Sequence, residues 1–248
     1  MLNSRGSFFS NIPTVTKNLL IINILVWIAQ ISLPKVGIDL TNLLALHYWR
    51  ASDFNIAQMF SYMFMHSDND FSHLFFNMFS LLMLGPLLER ALGSMRYLFY
   101  YITCGLGAAI VQELVWEFTW MDIFAPGFAN YNGLTMDEAY SIFQAAVTSG
   151  ENIPFLNQLI TVGASGCVFG ILLAFGVLFP NLPMYIMFIP IPIKAKYMVI
   201  FWGAIELIFG VTGAMDSIAH FAHLGGMIFG LILLLYWKKK GTFGGSSF

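Results

Sequence analysis

Six stretches of this chain are apolar for about the length that crosses a hydrocarbon core, and no other feature narrows its fold so far. They lie at about 18–33, 72–88, 97–115, 159–179, 197–213 and 218–237, against the roughly 20 residues that a membrane-spanning helix needs. A transmembrane β-barrel would instead show short alternating segments. Only helices and closed barrels satisfy every backbone group in lipid, so the pattern predicts an all-α membrane protein, a six-helix transmembrane bundle with interfacial outer loops. Composition agrees: of 248 residues 58% are hydrophobic and 10% charged, where a soluble domain carries about 25% charged residues. A net charge of −2 excludes a nucleic-acid partner, which needs a basic face to displace counterions. Cys104 and Cys167 both lie in apolar runs, so no disulfide is expected.

The basic residues set the expected orientation. Arg5, Lys17, Arg90, Arg96, Lys194, Lys196, Lys238, Lys239 and Lys240 fall on one side, and only Lys35 and Arg50 on the other. The positive-inside rule then places the 1–17 N-terminus and the 238–248 tail in the cytoplasm, flanking a membrane domain at 18–237. The first apolar run has no small-residue cleavage site after it and reads as a retained span rather than a signal peptide.

Two outer segments are long. The first, about 34–71, holds Leu43, Leu44, Tyr48, Trp49, Met59, Phe60, Tyr62 and Phe64, and is expected to lie in the membrane interface. The second, an outer insert at 116–158, opens with Trp116, Phe118, Trp120 and Phe124. It continues through a turn-rich stretch with Pro126, Gly127, Asn130, Asn132 and Gly133. Thr135 and Glu138 then have capping-box spacing ahead of a short helix at about 136–148. On the opposite side, Pro180, Pro183, Pro190 and Pro192 predict a loop.

A polar side chain within a span is costly and marks function by default. His73 and Asn77 fall on span two, Ser165 on span four, Glu206 on span five, and His220 and His223 on span six. Asn77, Ser165 and His223 stand five, six and five residues inside their spans, roughly 8 Å down. Gly166 and Gly170 form one small-residue face and Gly226 and Gly230 another, which lets spans four and six approach and brings Ser165 toward His223. A serine hydroxyl needs such a base to become a nucleophile. His73 and Asn77, spaced i and i+4, share a face and suit an oxyanion hole completed by the backbone N–H of Ser165. Asp216 lies seven residues before His223, about 10 Å along a helix, so the spacing favours a Ser/His dyad over a triad. Glu206 has no expected catalytic part, and Glu113 reads as interfacial.

These residues resemble the signature of the rhomboid intramembrane serine proteases. HLFFN carries the second-span His and Asn at His73 and Asn77; GASG matches the serine motif, with Gly163 in support and Ser165 as nucleophile; AHLGG makes His223, not His220, the base. The segment GPLLERALGSMR at 85–96 is similar to the turn between spans two and three, with Glu89 and Gly93 in the matching places. Phe169 matches an aromatic that stacks on the base, and His66 a support position. Where many members have a Trp-Arg pair ahead of span two, the aligned stretch has Ala57 and Gln58. The resemblance implies a rhomboid-like bundle in a bacterial inner membrane. Its implied activity is cleavage of single-pass membrane proteins near the outer face through an acyl-enzyme on Ser165, with no cofactor and no metal. Small residues at the cut and an easily unwound substrate helix are expected, with span five and the loop at 210–217 as the gate; a crosslink between spans two and five that spared cleavage would contradict the gate.

Three other readings stand beside it. A catalytically inactive relative that binds membrane clients would typically lack the Ser or the His, and both are present. A metal or haem protein could use His66, His73, His220 and His223, but the chain has no HExxH, and no Cys or carboxylate ligand is expected near them. A transporter would show an inverted repeat or a charged pathway, and neither is visible.

Overall fold

The structure is a computed structural model that describes residues 11–185, 191–213 and 219–242. Arg5, Pro190, Asp216, Ser217, the 218 start of span six and the 243–248 end of the tail lie outside the described residues. In chain order the helices are α1 (Thr14–Ser32), α2 (Leu40–Leu44), α3 (Gln58–Ser61), α4 (Phe71–Leu92), α5 (Ser94–Asn132), α6 (Met136–Ser149), α7 (Ser165–Leu178), α8 (Ala195–Thr212) and α9 (His220–Lys239). Among the described residues five of them, α1, α4, α5, α8 and α9, are long and apolar enough to cross a membrane. The architecture is an all-α membrane bundle in which the shorter α7 packs among α4, α5, α8 and α9.

Expected span four, 159–179, is corrected by that shortness. α7 has 14 residues, a rise of about 21 Å, which falls short of a hydrocarbon core of about 30 Å. Ser165 is therefore the first residue of its helix rather than six residues in. The chain ahead of it descends as a 3-10 turn at Pro154–Gln158 and a strand, β2 (Ile160–Thr161). Non-helical backbone at membrane depth needs partners inside the protein. It finds them in β1 (Leu46–His47), which pairs antiparallel with β2, Leu46 with Thr161 and His47 with Ile160. The N–H of Gly163 also donates to the carbonyl of Tyr62 at 3.0 Å.

The small faces work as their spacing suggests. A Cβ on Gly226 of α9 would strike the carbonyl of Gly166 on α7, and one on Gly170 would reach the sulfur of Cys104 on α5. A Cβ on Gly225 would lie 3.0 Å from the carbonyl of Gly107. Close backbone approach at these glycines fixes the spacing of α5, α7 and α9.

Helix α5 departs most from expectation. Span three, set at 97–115, instead runs from Ser94 to Asn132, 39 residues and about 58 Å, straight through Pro126 and Gly127. Both of those residues are on its exposed side. On the other side Ala125 and Ala129 are buried, and the rings of Trp120 and Phe128 pack at a tilt against Phe143 of α6, with centroids 5.4 and 5.0 Å away. Packing against α6 outweighs the helix-breaking tendency of the Pro-Gly pair. The expected 136–148 helix is α6, opened by a capping box between Thr135 and Glu138. Where a loop was expected around the prolines, β3 (Pro183–Tyr185) pairs antiparallel with β4 (Pro192–Lys194).

In the first outer loop Leu46, Tyr48, Tyr62, Met63 and Met65 are buried in protein, whereas Leu43, Trp49 and Phe60 are exposed. Gln58 is the hub: its Oε1 accepts the N–H groups of His47 and Asn55, and its amide nitrogen Nε2 donates to the carbonyl of Asp53 at 2.9 Å. Glu89 does comparable work below, accepting the N–H groups of Val15 and Thr16 and the hydroxyls of Thr16 and Ser94, so that a residue of α4 caps α1.

Candidate active site

Ser165, His223, His73, Gly163 and Phe169 converge where α7 begins. The Oγ of Ser165 is 2.8 Å from Nε2 of His223, within the range of an O–H donor to a ring nitrogen. Phe169, one turn after the serine, stacks on the imidazole with ring centroids 4.3 Å apart and planes 8° apart. The aromatic face fixes the ring plane, and the serine bond fixes its rotation.

Gly163 has φ +132°, and a Cβ there would lie 2.8 Å from Nε2 of His73 and 3.5 Å from the serine Oγ. The glycine thus leaves open the space between His73 and Ser165. Nδ1 of His73 accepts the N–H of Ser67 at 3.3 Å, so the ring proton belongs on Nε2, the nitrogen facing that space. Asn77 donates one amide hydrogen to the carbonyl of His73 at 2.8 Å and retains a second. At the first turn of α7 the leading N–H groups have no carbonyl of their own helix to bond, and the helix dipole adds positive potential.

His66 is fully buried and meets His73 edge-on at 5.2 Å. Burial and the neighbouring imidazole push its pKa down to about 3, so it supports His73 as a neutral ring.

One residue that the sequence reading left without a part joins the site. Oε2 of Glu206, on α8, lies 2.9 Å from Nδ1 of His223 and 2.7 Å from Nδ1 of His220. A carboxylate does stand against His223, contrary to the dyad expected from the distance of Asp216. The available signal was the cost of an acid in mid-span together with two imidazoles spaced i and i+3, which share a helix face. The same three side chains are the described group whose donor atoms could hold a metal, all within 4.8 Å of one another. This also corrects the expectation that no carboxylate neighbours the histidines. The 2.7 and 2.9 Å separations are hydrogen-bond distances; ligand atoms around a tetrahedral zinc stand about 3.4 Å apart. The residues as placed therefore fit a hydrogen-bonded cluster.

Further out, Glu113 is buried, with its Oε2 accepting the N–H of Trp49 at 2.9 Å. Glu117 accepts from the Tyr48 hydroxyl, the Trp49 indole and the Arg50 guanidinium at 2.6, 2.7 and 2.7 Å. Trp49 and Arg50, upstream of Ala57 and Gln58, thus tie the first outer loop to α5.

A search of curated proteins returns no match. The family model for the Rhomboid domain matches residues 48–240, a span that opens at the loop clamped by Glu117 and holds Ser165, His73 and His223. With a membrane bundle, a serine at the head of a short central helix and a histidine bonded to it, the chain belongs to the rhomboid family.

Proposed function

We propose that the chain is an intramembrane serine endopeptidase that cleaves transmembrane segments of single-pass membrane proteins near the outer face of the bilayer. The observation that carries this reading is the 2.8 Å contact between Ser165 Oγ and His223 Nε2 inside a membrane bundle. His223 takes the hydroxyl proton as Ser165 attacks the carbonyl carbon, then gives it to the leaving amine. The acyl-enzyme is released by water, whose proton passes through the same Nε2 and returns to Ser165. The developing oxyanion is held by Nε2–H of His73, the free amide hydrogen of Asn77 and the N–H of Ser165; each such donor is worth about 10²–10³-fold in rate. Phe169 and Gly163 support the ring and the opening.

The positive-inside pattern supports an orientation with both termini in the cytoplasm and the serine toward the outer leaflet, and the resemblance to the rhomboid proteases is what points to a bacterial inner membrane. A substrate helix has to unwind at the cut because its carbonyls are bonded and shielded. The test is purified protein in liposomes with a single-pass substrate that carries small residues at the outer end of its span. Cleavage by wild type and none by Ser165→Ala supports the reading; equal cleavage by both, or none by folded wild type, overturns it.

A further inference from the structure

Serine attack by a dyad needs only a hydroxyl and an imidazole, yet this site holds an acid as deeply buried as the base. Glu206 is 6% exposed, His220 5% and His223 7%. Burying a carboxylate in a membrane bundle is costly unless its oxygens are bonded, and here both partners come from one face of α9. The connection is directional. Since Nε2 of His223 is occupied by the serine hydroxyl, Nδ1 is the nitrogen left to carry the ring proton, and it points at Glu206 Oε2. A proton on the other nitrogen would leave His223 with no lone pair for the serine.

We propose that Glu206 is a positioning residue that extends Ser165 and His223 into a serine–histidine–glutamate relay, with His220 fixing the carboxylate. The inference rests on the reading of Ser165 and His223 as a protease site. In the attack step the proton moves from Ser165 Oγ to His223 Nε2, and the Oγ electron pair forms the bond to the carbonyl carbon. Nδ1–H stays on the ring and keeps its bond to Glu206 Oε2, so the imidazolium faces a carboxylate rather than lipid. The proton then leaves Nε2 for the departing amine, and Glu206 itself remains unprotonated throughout. His220 donates its Nδ1–H to the same oxygen at 2.7 Å, holding the carboxylate in place when the ring turns over.

The test is steady-state cleavage in liposomes by wild type, Glu206→Gln, Glu206→Asp and Ser165→Ala, with thermal melting of each. The relay requires Glu206→Gln to lower kcat by about 10²-fold or more with KM within about threefold, because the bond is made to His223 and not to substrate. Glu206→Asp, which keeps the charge, should recover part of the loss. A Glu206→Gln protein that melts like wild type and cleaves within about threefold of it overturns the relay. Cleavage surviving in Ser165→Ala would instead overturn the protease reading beneath it. Should Glu206→Gln fail to fold, nitrogen NMR of histidine-labelled wild-type protein decides: a proton on Nδ1 of His223 supports the relay, and one on Nε2 alone overturns it.

Discussion

Gly226 on α9 and Gly166 on α7 touch through their backbones, so that a side chain at 226 would strike the carbonyl of 166. Gly166 directly follows Ser165, and Gly226 stands three residues after His223. The contact therefore sets the distance across which the serine and its base meet. Gly226→Val is expected to push α9 from α7, costing about 1–3 kcal/mol of stability and most of the activity. Thermal melting and substrate cleavage measured together check both effects.

Gly163→Ala tests the space beside the nucleophile. At φ +132° a side chain is strained, and its Cβ would lie 2.8 Å from His73 Nε2. The expected result is a fall in kcat of about 10²-fold from displacement of one oxyanion donor, with about 1–3 kcal/mol lost from folding. Kinetics beside a melting curve separates the two.

Glu89→Gln should act on the bundle and leave the chemistry alone. Its carboxylate accepts from Val15, Thr16 and Ser94, bonds that tie α1 to α4 and to the start of α5. Loss of charge-assisted bonds to buried groups is expected to cost about 1–3 kcal/mol. A lower melting temperature with cleavage per folded molecule unchanged is the predicted outcome.

His66 gives the fold a pH dependence. Its pKa falls from the ordinary 6.5 to about 3, so the folded state resists a proton that the unfolded chain accepts. The stabilisation is fully present above 6.5 and is lost as pH drops from there toward 3. The slope is about 1.4 kcal/mol per pH unit in that window. His66→Phe should flatten the acid side of the stability curve, read by melting temperature at several pH values.

What could be read from the sequence follows the range of the interactions involved. The i, i+4 pair of His73 and Asn77, the GASG serine, the stacking Phe169 and the Thr135–Glu138 capping box are local patterns, and local patterns show in one sequence. Glu206 was visible as a cost but not as a contact, because its partners lie on the next helix and Asp216 was nearer His223 in sequence. Span three, expected to end at 115, runs on through Pro126 and Gly127: those residues favour a turn locally, while Phe143 and Phe155 hold that stretch helical from outside it through Phe128 and Phe124. Ser165 looked deep within span four because the apolar run continues upstream through Ile160, where the backbone is a strand paired with His47.

The most direct measurement is reaction of the membrane-reconstituted protein with a fluorophosphonate probe, followed by mass spectrometry of the modified peptide. The account predicts an adduct on Ser165 in wild type and none in Ser165→Ala or His223→Ala. A folded wild type that takes no adduct, or one labelled equally without His223, would contradict it.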